Sequence, residues 1–225
     1  MQRQIIGLMG VKGCGKDTFA QHFVQNHGFC RIGFADELYR QVAAAFGVTE
    51  SLLGERATKE LPLAALALRH CSDGDFVRCV LETNGWQDGE RTRAQPLSPR
   101  MVMQLWGDEY RRQRGVDNYW LQIVEKAMRA TPALPFVVTD VRYPNEMAFL
   151  RSKGATLVRL RRSVQEAREA EERLSNGRAL HASETALLNT PADCEVVNIE
   201  GHPERLRQEA ALLVSRYKQQ HLTVA

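Results

Sequence analysis

Residues 4–9 read Gln-Ile-Ile-Gly-Leu-Met, an apolar run with little interruption, and the pattern then changes to the helical spacing of Phe19, Phe23 and Val24 as far as Gly28. A short apolar run predicts a buried strand, and spacing by three to four predicts a helix that its glycine stops. Between the two lies GVKGCGKDT, Gly10 to Thr18. Residues 29–35 predict a second strand, and Asp36 is placed to cap the helix ELYRQVAAAFG that ends at Gly47.

Residues 48–97 carry helical patches, including the Ala- and Leu-rich 60–69, but CSDGDF and NGWQDGERTRAQP are polar and bear glycine. An irregular inserted lobe is expected there. SPRMVMQLWGDEYRR predicts a helix with Ser98 at its cap and Pro99 at its first position, where a missing N–H costs nothing. NYWLQIVEKAMRA, entered from Asp117, predicts another. LPFVVTD, 134–140, is the clearest central strand and ends in Asp140. Residues 155–162 and 194–200 predict two further strands, 202–220 a closing helix, and the charged 163–180 a solvent-facing arm. The fold class is α/β, because the alternation of strand and helix requires a mainly parallel sheet, here of about five strands.

Composition narrows this modestly. A chain of 225 residues fits one domain with an insertion. With 44% apolar and 25% charged residues and a net charge of +3, it is an ordinary globular chain, too mildly basic to imply nucleic acid or membrane as partner. That charge is compatible with a polyanionic small substrate, and a homodimer is an admissible assembly. The five cysteines are scattered without a C-x-x-C pair, which fits a reducing cytoplasm and not a disulfide framework or zinc site. No signal-peptide pattern or membrane-length apolar run is present in the sequence.

The glycine stretch brings the chemistry. Backbone N–H groups curled into one concavity at the positive end of a helix bind anions without a side chain, and Gly10, Gly13 and Gly15 permit the curl. Lys16 can reach β- and γ-phosphates and offset charge as a phosphoryl group loosens. The motif G-x-x-x-x-G-K is met. Asp17 replaces its final Ser or Thr, and the hydroxyl comes one residue later at Thr18. If the strands ending near Met9 and Asp140 are neighbours, Asp140 lies beside the loop, where it can order magnesium, bind an acceptor or cap the turn into YPNE. Arg100, Arg142, Arg159, Arg161 and Arg162 offer guanidinium forks suited to phosphates. His181 and Glu184 share a face if helical, a pairing that fits a helix start as well as a site.

Taken in order, GVKGCGKDT, SPRMVMQLWGDEY, DNYW, DVRYPNE and HASE make the chain resemble the bacteriophage deoxynucleoside monophosphate kinases. The resemblance implies a three-layer P-loop fold of the nucleoside-monophosphate-kinase type over residues 1–225, an acceptor-side lobe at 48–97 and an arginine-bearing lid arm at 162–184. It implies transfer of the γ-phosphoryl group of ATP to a deoxynucleoside 5'-monophosphate, with magnesium, in the cytoplasm of a bacterial or phage-infected cell. Gly13, Gly15, Lys16, Asp17 and Thr18 would hold ATP, and Lys-Asp-Thr is the family form of the loop. Lys16, Arg142 and Arg161 would act on the transferring group, with Thr18 and Asp140 toward the metal. Lys12, Leu38, Tyr39, Arg100, Gly107, Asp108, Trp120, Asp140 and Arg142 would hold the acceptor, although the family usually has lysine where Tyr39 stands. Arg161, Arg162, His181 and Glu184 fall near the closing arm. The 48–97 lobe either carries acceptor selectivity, with Arg56 as a candidate contact, or only covers the sheet edge. A P-loop kinase of another acceptor, such as dephospho-coenzyme A, would present the same loop and arm. A nucleotide-dependent switch or assembly ATPase needs a γ-phosphate-reading partner surface instead.

Overall fold

The computed structural model describes residues 3–11, 13–113, 118–162, 186–187, 189–199 and 202–222. In chain order the elements are β1 (Ile5–Met9), α1 (Lys16–His27), β2 (Cys30–Ile32), α2 (Asp36–Phe46), α3 (Glu50–Gly54), α4 (Gly74–Asn84), α5 (Glu90–Ala94), α6 (Pro99–Gln104), α7 (Tyr119–Ala130), β3 (Phe136–Val138), α8 (Pro144–Ser152), β4 (Thr156–Arg162), β5 (Cys194–Asn198) and α9 (Pro203–Leu222). They form two compact units, Met1–Gly33 with Val124–Ala225, and Phe34–Ile123.

The first unit is built on a five-stranded sheet in the order β2-β3-β1-β4-β5. All its pairings are parallel, as the alternation of strand and helix predicts. The central strands β1 and β3 are apolar and buried along their whole length, because helices cover both faces of the sheet. On one face Ile6, Leu8, Val137, Val158, Leu160 and Val196 pack with Phe19, Ala20 and Phe23 of α1 and Leu206, Ala210 and Val214 of α9. On the other, Gly7 lies against Leu157, Val141 and Leu150 of α8, with no room for a side chain. This is the expected three-layer arrangement. β1 occupies the middle, so the loop that follows it emerges from the most buried part of the sheet.

The second unit is helical. Its core includes Val42, Phe46, Leu53, Leu66, Leu68, Phe76, Val80, Val102, Trp106 and Trp120. Phe46, Phe76, Trp106 and Tyr110 form a ring cluster with centroids 4.5 to 6.2 Å apart. Residues 48–97 fall inside this unit and are more regular than their polarity suggests. CSDGDF opens α4, where Asp73 accepts from the Phe76 N–H at 2.9 Å, so its acids and glycine are a helix start. The Ala- and Leu-rich 60–69 gives only single helical turns, at 64–66 and 68–70.

Two boundaries also differ from expectation. Asp36 is the first residue of α2, not its cap; Ala35 holds the cap position, and the Asp36 and Glu37 carboxylates favour the positive end of the helix. Ser98 caps α6 and Pro99 opens it as expected, but after Gln104 the segment widens into π-helix, Leu105–Gln113. A π-helix displaces side chains from the 3.6-residue register, which apolar spacing alone does not reveal.

Candidate phosphate-binding site

Gly10 leaves β1 at φ 139°, Gly13 has φ 79° and Gly15 has φ 101°, all in the left-handed region that side chains resist. A Cβ on Gly10 would stand 2.3 Å from the Leu160 carbonyl oxygen. The loop therefore needs glycine for space as well as for backbone conformation. α1 opens from Gly15 with no side-chain cap. The first N–H groups of a twelve-residue helix are thus presented with the positive end of its dipole. The Lys16 ammonium lies across the loop and donates to Gly10 O at 2.7 Å and Val11 O at 2.9 Å, with Cys14 Sγ at 3.6 Å. Cys14 itself is fully buried. Asp17 and Thr18 stand in the first turn of α1.

Asp140 is placed by β3. The Thr139 N–H donates to Ile32 O and the Val141 N–H to Leu8 O at 3.2 Å, so the chain around Asp140 is tied to the ends of β2 and β1. That puts Asp140 at the carboxyl edge of the sheet, where β1 gives way to the glycine loop. Asp140 does not occupy the cap of the next helix. Tyr143 holds that position, and the buried Glu146 accepts from the N–H groups of Arg142 at 2.8 Å and Tyr143 at 3.1 Å. The Arg142 side chain is exposed.

The two arginines at the end of β4 diverge. Arg161 forks onto Glu195 of β5, at 3.0 Å and 2.9 Å. The hydrogen bond from Arg161, then the charges of Arg161 and Arg159, hold the Glu195 carboxyl below its usual range. Arg162 instead donates from Nε to Gly13 O at 2.9 Å, and Asn198 at the end of β5 donates from Nδ2 to Cys14 O at 3.1 Å. Sequence reasoning did not single out Asn198, though its place at a strand's carboxyl end was a signal. Immediately after it, Ile199, His202, Glu204, Arg205 and Gln208 line a cavity of about 350 Å³.

In the second unit the acceptor candidates fall into two groups. A Cβ on Gly107 would meet Leu38 at 3.2 Å, and the Gly107 carbonyl accepts from the buried Trp120 indole at 3.1 Å. Asp108 pairs with Arg112 at 3.0 Å. Tyr39 forms the other group, because its hydroxyl accepts from Lys59 Nζ at 2.8 Å, and the Arg100 N–H donates to Lys59 O while its side chain pairs with Glu60. Lys59 was not anticipated. Nor was Gln41, which accepts from Trp106 and Arg111 and donates to Tyr119, fixing the start of the π-helix. Tyr110 donates to Asp73, and burial followed by that hydrogen bond raises its pKa. Arg56 lies in this unit as well. Lys12, His181, Glu184 and the arm beyond Arg162 as far as residue 185 lie outside the described residues.

The residues at the loop suit magnesium and a triphosphate. A hydroxyl and a carboxylate are hard oxygen donors of the kind magnesium takes alongside phosphate oxygens. Among the described residues no group of three or more His, Cys, Asp or Glu could hold a metal by side chains alone. No described helix is long and apolar enough to cross a membrane.

No family model matches the chain. It is 29% identical to a deoxynucleoside-5'-monophosphate kinase of Escherichia phage T5 over 178 residues, covering 65% of this chain and 71% of the relative. To a putative deoxynucleotide monophosphate kinase of Acanthamoeba polyphaga mimivirus it is 27% identical over 163 residues, covering 70% and 74%. These are relatives of the kind that the motifs resemble. Among solved structures, a sugar kinase from Janibacter sp. HTCC2649 aligns with TM-score 0.39 at 16% identity, covering 95% of each chain. A dephospho-CoA kinase from Campylobacter jejuni aligns with TM-score 0.43 at 15% identity, covering 96% of this chain and 98% of that one.

Proposed function

We propose that this chain is an ATP-dependent deoxynucleoside monophosphate kinase, moving the γ-phosphoryl group of ATP onto a deoxynucleoside 5'-monophosphate to give the diphosphate. The observation that carries the reading is the glycine loop, which joins the central strand to an uncapped helix start with Lys16 across it. The two curated relatives, named for this activity, support the acceptor class.

On this reading the loop N–H groups and Lys16 bind the phosphate chain, with Gly13, Gly15, Asp17 and Thr18 shaping the site. A phosphate oxygen of the acceptor attacks the γ-phosphorus, the bond to the β–γ bridging oxygen breaks, and ADP leaves with that electron pair. The attacking oxygen is already ionised, so no general base is needed, and positioning and charge neutralisation supply the rate. Lys16, Arg142 and Arg161 are the cations assigned to the transferring group. Thr18 and Asp140 are the oxygen donors assigned to magnesium, which when bound draws charge from the β- and γ-phosphates. Lys12, Leu38, Tyr39, Arg100, Gly107, Asp108, Trp120, Asp140 and Arg142 are assigned to the acceptor.

Coupled ADP release measured over a panel of acceptors tests this. Stimulation by one or more deoxynucleoside monophosphates supports the reading. Stimulation by dephospho-coenzyme A alone, or ATP turnover indifferent to every acceptor, refutes it.

A further inference from the structure

The last register pair between β4 and β5 sets Arg162 beside Asn198. Their side chains reach successive carbonyls of the glycine loop, Arg162 Nε to Gly13 O at 2.9 Å and Asn198 Nδ2 to Cys14 O at 3.1 Å. A trans peptide points its carbonyl and its N–H in opposite directions. Holding the Cys14 carbonyl on Asn198 therefore turns the Gly15 N–H away from β5. A loop whose peptides could flip would present carbonyl oxygens to an anion part of the time, and ordering them would weaken binding. α1 has no side-chain cap at Gly15, so no cap group fixes this peptide from the helix side.

We infer that Asn198 and Arg162 are positioning residues for the phosphate-binding loop, two donors on adjacent strand ends that fix the peptide planes at Gly13–Cys14 and Cys14–Gly15. This rests on the phosphate-binding reading above. Gly15 fits the role. A Cβ there would stand 2.4 Å from Asn198 Nδ2 and push the amide off its carbonyl. A Cβ on Gly13 would likewise crowd Arg162 Nη2 at 3.2 Å. The device explains why the edge strand β5, which carries none of the residues assigned to ATP, matters to a loop that follows the central strand.

The test is calorimetric titration of ATP and of inorganic tripolyphosphate into wild type, Asn198→Ala, Asn198→Asp, Arg162→Met, Arg162→Gln and Lys16→Ala. Loss of one hydrogen bond predicts about fivefold weaker binding of both ligands to Asn198→Ala. Asn198→Asp keeps the shape but turns an oxygen on the Cys14 carbonyl, and binds more weakly still. Arg162 is exposed, so its replacement does not threaten the fold. Arg162→Met weakens both ligands, and Arg162→Gln, which keeps a donor without charge, recovers part of the loss. Faster hydrogen exchange at the Gly15 amide in Asn198→Ala, read without any ligand, is the companion signal.

If wild type binds both ligands and Lys16→Ala does not, while the Asn198 and Arg162 variants bind like wild type, the inference alone falls. It also falls if Gln and Met at 162 are equally weak, because charge and not positioning is then the cause. If wild type binds neither ligand, the kinase reading falls and takes this inference with it. Should both Asn198 variants fail to fold, the Arg162 pair decides.

Discussion

Gly10→Ala should be among the most damaging single-methyl changes in the chain, and the structure gives its size. The new Cβ would stand 2.3 Å from Leu160 O and 2.9 Å from Cys14 Sγ. A carbon–oxygen contact of about 3.3 Å is comfortable, so strand β4 or the loop must move by about 1 Å. Such overpacking costs about 1–3 kcal/mol, and the positive φ adds about 1–2 kcal/mol. The sum is about 2–5 kcal/mol. Gly28→Ala is the internal control. Its φ of 70° is also left-handed, but nothing lies within 4 Å of its Cβ, leaving about 1–2 kcal/mol of backbone penalty alone. Urea unfolding followed by far-ultraviolet circular dichroism measures both. Gly10→Ala should unfold at lower urea than Gly28→Ala, which in turn falls below wild type. A Gly10→Ala midpoint equal to or above that of Gly28→Ala would refute the claim that the Leu160 carbonyl closes off this position.

Lys16→Ala should lower phosphoryl transfer by about a hundredfold or more, with an unchanged dichroism spectrum, whereas Arg142→Ala should mainly raise the acceptor's KM; initial-rate kinetics separate the two. The depressed Glu195 pKa means that its pair with Arg161 stabilises the fold above the ordinary carboxylate range, and the gain is lost as pH falls through the folded pKa. Both side chains are exposed, so Arg161→Met should lower the unfolding free energy, measured with urea, at about pH 7 by less than about 1 kcal/mol, and the loss should shrink as pH falls below the ordinary carboxylate range. An equal loss below that range would show that the pair is not the cause. Burial pushes the Cys71 thiol up to about 11, so iodoacetamide should modify Cys71 sluggishly at about pH 8 and faster as pH approaches that value, as peptide mass mapping would show.

The elements that announced themselves in the sequence were those whose pattern has one cause. Apolar runs at 4–9 and 134–140 became β1 and β3, neighbours in a parallel sheet, and that adjacency brings Asp140 to the glycine loop as its strand-end position suggested. Gly28 and Gly47 terminate α1 and α2 in the left-handed conformation, as the sequence signals. What stayed hidden depends on contacts between distant segments. Asn198 looks like any polar strand end until β5 pairs with β4 and brings it to Cys14. Lys59 reaches Tyr39 across a stretch of mixed polarity that has no period to read. The π-helix at 105–113 leaves no mark in apolar spacing, since the polar contacts of Gln41 accompany it. In CSDGDF, acids and glycine served a helix cap and not a loop, a choice set by packing of Phe76 into the ring cluster.

On the proposed function, the loop after β1 delivers a phosphoryl group to a second nucleotide. Incubating γ-labelled ATP with common deoxynucleoside monophosphates and following the label by chromatography tests it most directly. Label is expected in a deoxynucleoside diphosphate with wild type and not with Lys16→Ala. Label appearing as inorganic phosphate regardless of the deoxynucleotide, or transfer that survives the loss of Lys16 undiminished, would contradict it.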